Sequence, residues 1–236
     1  MNDRINSFNF SKIGIVHSPL REKFGIPRQP GLAAVDAVIE LLPPFASADA
    51  VNGLEQFSHI WLTFVFHAVA EREWKTLVRP PRLGGNAKIG VFASRSTHRP
   101  NPIGLSVVEL RKVEMNNGVC LHIRGADLLD GTPILDIKPY IPYADAIQNA
   151  RAGYAQEPPP RLQVCWSDEA LIAVQQKAND LKKIIEEVLS LDPRPAYQDE
   201  PGRIYGVHIA DCNVRFRIDS ESVEIVGVVL PIQQIP

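Results

Sequence analysis

The chain has 236 residues, 45% of them hydrophobic and 22% charged, with a net charge of −2. This is ordinary globular composition with enough apolar material for a core, and any surface for a polyanion must come from local clustering of charge. The apolar runs, such as Ile60–Phe66, are too short to span a bilayer, and Met1–Phe10 lacks the order of an export signal.

Three scattered cysteines, Cys120, Cys165 and Cys212, form no CxxC pair. A cytoplasmic protein with reduced thiols is therefore expected.

Residues 11–145 read as short strands separated by Gly, Pro and Asn punctuation. Lys12–His17 alternates through Ile13 and Ile15, and Ala37–Leu42 is an apolar run ended by Pro43 and Pro44. One helix is expected around Ala48–Phe57, weakened by Gly53. In Ser58–His67, Ile60, Leu62, Phe64 and Phe66 share one face of a strand. Lys88–Ser94 reads as a further strand. Gly104–Glu114 and Val119–Gly125 flank the hairpin signal Asn116-Asn117-Gly118, and Ile134–Lys138 follows the Asp130-Gly131 turn. Many short strands at this spacing predict an antiparallel barrel rather than a doubly wound sheet.

The segment Ala146–Pro160, ending in three prolines, reads as a linker. Beyond it Ser167 is a suitable N-cap, with Asp168 and Glu169 in the first turn. Leu171, Val174, Ala178, Leu181, Ile185 and Val188 keep a helical stripe until Asp192-Pro193. Strands are expected at Arg203–Ile209, Asn213–Ile218 and Ser222–Leu230. The expected organisation is a mostly β protein, with a barrel domain over 1–147 and a small α+β domain over 148–236. The latter holds one long helix and a three-stranded sheet, and is a candidate for contacting RNA.

Between Glu73 and Glu109 lie 35 residues without Asp or Glu, holding Lys75, Arg79, Arg82, Lys88, Arg95 and Arg99. This local excess of positive charge suits phosphate binding, because released counterions drive much of nucleic-acid affinity. A solvated basic face is the competing reading. Arg79 and Arg82 flank Pro80-Pro81 and are expected on a stiff loop against phosphate. Within the same stretch, Gly90–Gly104 runs from a strand into Ser and Thr turn formers, then fixes its backbone with Pro100 and Pro102 around Asn101. Rigid, arginine-bearing loops at strand ends are good places to hold a ligand.

This segment resembles the signature of the TsaA-like (YaeB, TrmO) family, Gly-Val-Phe-Ala-x-Arg-Ser-x-x-Arg-Pro-Asn-Pro-Ile-Gly. The resemblance continues through Pro27–Leu32, Gly53–His59, Arg79–Gly85, Asp130–Pro133, Asp136–Tyr140 and Asp192–Tyr197, covering nearly the whole chain in order. It implies an S-adenosylmethionine-dependent methyltransferase with a β-barrel core, working as a homodimer with cofactor sites near the subunit interface. The implied substrate is N6 of N6-threonylcarbamoyladenosine at position 37, beside the anticodon of a threonine tRNA. By resemblance, the cofactor site uses Gln29, Pro30, Gly31, His67, Ala68, Arg95, Leu105, Leu128, Leu129, Asp130, Gly131 and Thr132.

The residue types agree with such a role. Gly31 lets backbone approach a ligand, Arg95 can fork onto a carboxylate, and Leu105 can cover an adenine face. No GxGxxG follows a strand, so a Rossmann cofactor site is not expected. For steering the proton of the acceptor nitrogen, Asp130 and Asn101 are the catalytic candidates by chemistry alone.

Neither a metal nor a membrane partner is expected. His17, His59, His67 and His98 form no HxxxH or HxH pair, and no G-x-S-x-G elbow supports a hydrolase. A tRNA- or nucleotide-binding module without chemistry is the alternative that the basic stretch would support equally well.

Overall fold

The structure is a computed structural model that describes residues 7–84, 86–116, 118–175, 180–194, 200, 202–219 and 221–229. In chain order the first strands are β1 (Gly14–His17), β2 (Asp36–Leu41), β3 (His59–Val65), β4 (Leu77–Val78), β5 (Ile89–Gly90), β6 (Ile103–Glu114), β7 (Cys120–Arg124) and β8 (Pro133–Pro139). Six of them close an antiparallel barrel in the order β1-β2-β7-β6-β3-β8, while β4 and β5 form a separate ribbon. A small barrel fills its interior with alternate side chains. Here Ala37, Ile39 and Leu41 of β2, Ile60, Leu62 and Phe64 of β3, and Leu121 and Ile123 of β7 point inward and are buried together.

On β1 the inward face has the opposite phase to the Ile13/Ile15 alternation. Val16 lies opposite Ile39, both fully buried, and Gly14 is the other inward position. A Cβ on Gly14 would stand 2.8 Å from the Glu40 carbonyl oxygen, so a side chain there has no room. Gly104 is tighter still. It faces Phe64 across the β3–β6 ladder, and the aromatic ring fills the space of the missing side chain, 2.2 Å from an added Cβ.

Two local expectations are corrected in the barrel half. The strand expected over Lys88–Ser94 is only two residues long, because Val91–Ala93 turns as a 3-10 helix. The Ser94 hydroxyl donates to the Val91 carbonyl at 2.8 Å, offering the backbone an alternative to the ladder. The helix around Ala48–Phe57 is the short α1 (Ala48–Val51), capped by Ser47 accepting from the Ala50 N–H at 3.2 Å. Gly53, at φ 83, ends it and opens a 3-10 turn, Leu54–Gln56. A second short helix, α2 (Pro142–Asp145), follows the barrel.

The C-terminal unit holds β9 (Gln163–Trp166), α3 (Asp168–Gln175), α4 (Asp180–Leu189), β10 (Ile204–Ile209), β11 (Cys212–Ile218) and β12 (Ser222–Val229). Its sheet has four strands, β10-β11-β12-β9, not three. The additional strand β9 pairs parallel with β12; at four residues it is too short for periodicity to reveal. The one long helix expected here is described as two elements, α3 and α4, with Val174, Leu181, Ile185 and Val188 of the expected stripe buried. Ala178, Leu230 and the Pro195–Tyr197 motif lie outside the described residues. Among the described residues, no helix is long and apolar enough to cross a membrane.

The connection from β1 to β2 belongs energetically to the C-terminal core. Leu20, Ala33 and Val35 are buried with α3, α4 and the sheet. Phe24 stacks on Tyr205 and Phe216 with centroids 6.3 and 6.2 Å away, and a Cβ on Gly25 would stand 2.8 Å from Val207. Polar ties surround this contact: Glu22 accepts from the His208 N–H at 2.7 Å and Glu187 from the Ala34 N–H at 3.0 Å. Arg28 donates to the Arg194 carbonyl at 2.8 Å, and Arg161 to that of Leu32.

Gly104→Ala is expected to destabilise the barrel by about 1–3 kcal/mol through overpacking against Phe64. A lowered Tm that Phe64→Leu in the same chain partly restores would confirm the contact. An unchanged Tm would remove it.

Candidate active site

Strand direction alternates around an antiparallel barrel, so the ends of β1, β3 and β7 and the starts of β2, β6 and β8 share one rim. Every site residue selected from the sequence lies at that rim. Gln29, Pro30 and Gly31 precede β2; His67 and Ala68 follow β3. Arg95 and Asn101 precede β6, which carries Leu105 at its start. Leu128, Leu129, Asp130, Gly131 and Thr132 join β7 to β8.

Two glycines let the segment before β2 cross the end of β7. Gly31, at φ 75, donates its N–H to the Gly125 carbonyl at 2.8 Å. Gly125, at φ 81, passes so close that a Cβ would lie 3.3 Å from the Gly31 Cα. That crossing brings the Gln29 side-chain carbonyl to Arg95, which donates to it.

The signature loop is wound on its own hydroxyls. The Ser94 Oγ accepts from the Ser96 N–H and the Ser96 Oγ from the His98 N–H, each at 3.2 Å. Arg99 folds back to the Ser94 carbonyl at 2.8 Å and lies 6.0 Å over the Phe92 ring. The two arginines of the loop thus have separate roles. Arg99 pins the backbone, leaving Arg95 exposed beside Gln29. At the far end of the loop, the Pro102 carbonyl accepts from the Phe66 N–H at 2.8 Å, which ties the loop to the end of β3 and leaves Asn101 exposed.

Sequence reasoning missed Asp127. This carboxylate stands in the largely apolar run Ala126–Leu129, accepts from the Ser106 hydroxyl at 2.7 Å, and senses the charge of Arg95. Burial raises its pKa, while the Ser106 hydrogen bond, its own backbone N–H and Arg95 pull the other way. A lone Asp between the buried residues Ala126 and Leu128 was the available signal. Ionisable groups strained by burial in this way concentrate at functional sites.

Asp130 has a different setting. One carboxylate oxygen accepts from the Ser18 N–H at 2.9 Å and the other is paired with Arg21. Arg21 also reaches the Ala210 carbonyl of the C-terminal unit at 3.3 Å. These residues line a shallow cleft of about 420 Å³ with His17, Pro19 and Asp211. Leu128 and Thr132 face inward, and the Thr132 hydroxyl donates to the Leu129 carbonyl at 2.6 Å. This turn presents chiefly backbone, therefore, while the exposed Arg95 and the 58% exposed Leu105 present side chains. Arg82, expected against phosphate, donates one N–H to the Glu157 carbonyl.

Two family models cover the chain: the tRNA-methyltransferase O N-terminal domain matches residues 15–146 and the TrmO C-terminal domain residues 159–230. The chain belongs to the tRNA-methyltransferase O family. Its similarity to relatives is spread over both halves. An Escherichia coli tRNA (adenine(37)-N6)-methyltransferase is 47% identical over 229 residues, covering 94% of this chain and 97% of that protein. A Pseudomonas aeruginosa protein provisionally named an S-adenosylmethionine-dependent methyltransferase, RcsF, is 52% identical over 212 residues, 87% of this chain and 90% of its own. The crystal structure of TrmO from Pseudomonas aeruginosa superposes with a TM-score of 0.81 at 43% identity, covering 96% of this chain and 99% of that one. The family's barrel and its C-terminal sheet are thus both present here.

Because burial raises the pKa of Asp127, its ionisation opposes folding. That penalty is absent below the carboxyl's unfolded pKa of about 3.9, grows as pH rises toward the folded value, and is complete above it. Asp127→Asn keeps an acceptor for Ser106 and is expected to raise Tm at pH 7, with the gain fading toward about pH 4. A lowered Tm at pH 7 would contradict the assigned burial penalty.

Proposed function

We propose that this chain transfers a methyl group from S-adenosylmethionine to N6 of N6-threonylcarbamoyladenosine at position 37 of a threonine tRNA. The observation that carries this reading is the full-length membership of the tRNA-methyltransferase O family, together with the gathering of the family's motif residues at one barrel rim.

The donor set fits the cofactor. A zwitterionic amino-acid tail needs an anion receptor beside a cation receptor, and Arg95 and Asp127 supply both. Leu105 offers an apolar face for adenine, and open space around Gly31 lets a ligand approach its backbone. Arg95 with Gln29 would hold the carboxylate, and Asp127 with the carbonyls of the Leu128–Thr132 turn the positive charge. S-adenosylmethionine, when bound, supplies an electrophilic methyl group.

The protein's own contribution is positioning and proton handling, since displacement at carbon is accelerated mainly by alignment. The acceptor nitrogen is conjugated to the purine and a carbonyl, so its N–H is acidic and its lone pair weak. Asn101, exposed on a loop fixed by Pro100 and Pro102, accepts and orients that N–H in this reading. Asp130 keeps its turn in place through Ser18 and Arg21, and becomes a base only by exchanging those partners. A homodimer in the cytoplasm belongs to the same reading; Trp74, Leu77, Phe92, Ile103 and Leu105 leave apolar surface near the rim for a second subunit.

Cells lacking this protein are expected to lose N6-methyl-N6-threonylcarbamoyladenosine from tRNA and accumulate the unmethylated nucleoside. An unchanged nucleoside profile would refute the proposed substrate. In the purified protein, Arg95→Ala should weaken S-adenosylhomocysteine binding by about 1.5–3 kcal/mol, the range for a hydrogen bond to a charged group, with Tm nearly unchanged. Wild-type affinity by calorimetry would take Arg95 out of the pocket.

A further inference from the structure

We propose that the C-terminal end of α4 is the positioning device of the cofactor loop, with Glu187 and Asp192 as its positioning residues. The inference rests on the reading above that Gln29–Gly31 holds S-adenosylmethionine, and it assigns the hold on that loop to residues outside the site.

Gln29-Pro30-Gly31 does not set its own shape. Pro30 fixes one φ angle, but Gly31 stands at φ 75 with no heavy atom within 4 Å of where a Cβ would lie. Side-chain packing at Gly31 therefore does not select its conformation. The flanks carry the restraint, and both are held by the same stretch, residues 187–194.

On the leading side, Arg28 donates through Nη2 to the carbonyls of Arg194 and Asp192, at 2.8 and 3.3 Å. Carbonyls near a helix C-terminus attract cations. Asp192 shapes this acceptor pair. It takes a left-handed φ of 46, a conformation that Asp tolerates better than most residues. Its carboxylate forks onto Arg194, with Oδ1 to Nε at 2.9 Å and Oδ2 to Nη2 at 3.0 Å. The same Oδ1 accepts from the Arg194 N–H at 3.1 Å, so one carboxylate fixes the turn that offers both carbonyls to Arg28. The Arg194 side chain is only 12% exposed, which strengthens the fork. The Asp192-Pro193-Arg194 element, far from the rim in sequence, thereby acquires a role at the rim.

On the trailing side, Glu187 Oε2 accepts from the Ala34 N–H at 3.0 Å and from both terminal nitrogens of Arg161 at 3.3 Å. Arg161 in turn donates to the Leu32 carbonyl and, at 3.0 Å, to the hydroxyl of the buried Ser190. Glu187 thus holds both peptide groups that flank Ala33, one directly and one through Arg161. The turn slung between these clamps meets the Gly125 carbonyl through Gly31 and Arg95 through Gln29. Packing of α4 rests on the buried Leu181, Ile185, Val188 and Leu189, so losing either carboxylate frees the loop rather than the helix.

The test compares Asp192→Asn and Glu187→Ala with Ile218→Val, a core change in the same unit at a residue outside both clamps. Asparagine tolerates the left-handed backbone, so Asp192→Asn weakens the fork while keeping the turn. In the full chain without ligand, the Gly31 amide followed by NMR should exchange faster in both clamp variants. S-adenosylhomocysteine affinity by calorimetry should fall by about 3–10-fold, the scale of one lost hydrogen bond. Ile218→Val should lower Tm and leave both the Gly31 amide and the affinity at wild-type values. Should Glu187→Ala fold poorly, Asp192→Asn carries the test. Wild-type Gly31 exchange in Asp192→Asn overturns the inference and leaves the cofactor site standing. So does a loss of affinity that Ile218→Val reproduces, which marks a general effect of stability. Quickened Gly31 exchange with wild-type affinity also overturns it, and if Arg95→Ala binds as wild type too, the cofactor reading falls with it.

Discussion

The mutual stacking of Phe24, Tyr205 and Phe216 anchors the loop that leads into the barrel's candidate rim. Residues 18–35 leave the barrel after β1, bury Leu20, Ala33 and Val35 in the C-terminal core, and return as β2. A loop of that length on a barrel rim would otherwise sample many conformations, at an entropic cost of roughly 1–2 kcal/mol per residue to order it. Burial of its apolar side chains offsets much of that cost. Between the anchors Phe24 and Ala33, Arg28 and Gly31 are exposed and Gln29 and Pro30 half-buried. The C-terminal unit is therefore part of the site's architecture, whatever it contacts in addition.

Electrostatics divides the rim's charged groups into two kinds. Some are satisfied within the fold: Arg99 by carbonyls of its own loop, Asp130 by Ser18 and Arg21, and Arg82 by Glu157. These partners hold the loops in place. Another is held against its electrostatic preference: Asp127 is ionised with difficulty under burial. Folded proteins accept such local strain where function requires it.

Much of this was legible in the sequence. The alternation of Ile60, Leu62, Phe64 and Phe66, and the strands after residue 203, follow from period-two burial, which is a local signal. The signature loop announced itself through its hydroxyls and prolines, and the rim residues through family motifs. What stayed hidden depends on contacts across the fold. The strand β9 is defined by its parallel partner β12 rather than by its own four residues. The 3-10 turn at Val91–Ala93 follows from one serine hydroxyl. Asp127 looks like an ordinary polar residue until its burial and its Ser106 partner are known.

The central claim is that the cofactor occupies the rim formed by the ends of β1, β3 and β7 and the starts of β2, β6 and β8. Amide hydrogen exchange of the full chain with and without S-adenosylhomocysteine tests it most directly. The account predicts slowed exchange in the segments around Gln29–Gly31, His67–Val69, Arg95–Leu105 and Gly125–Thr132. Protection confined to the opposite end of the barrel, around the cleft lined by Glu114, Cys120 and His122, would contradict it.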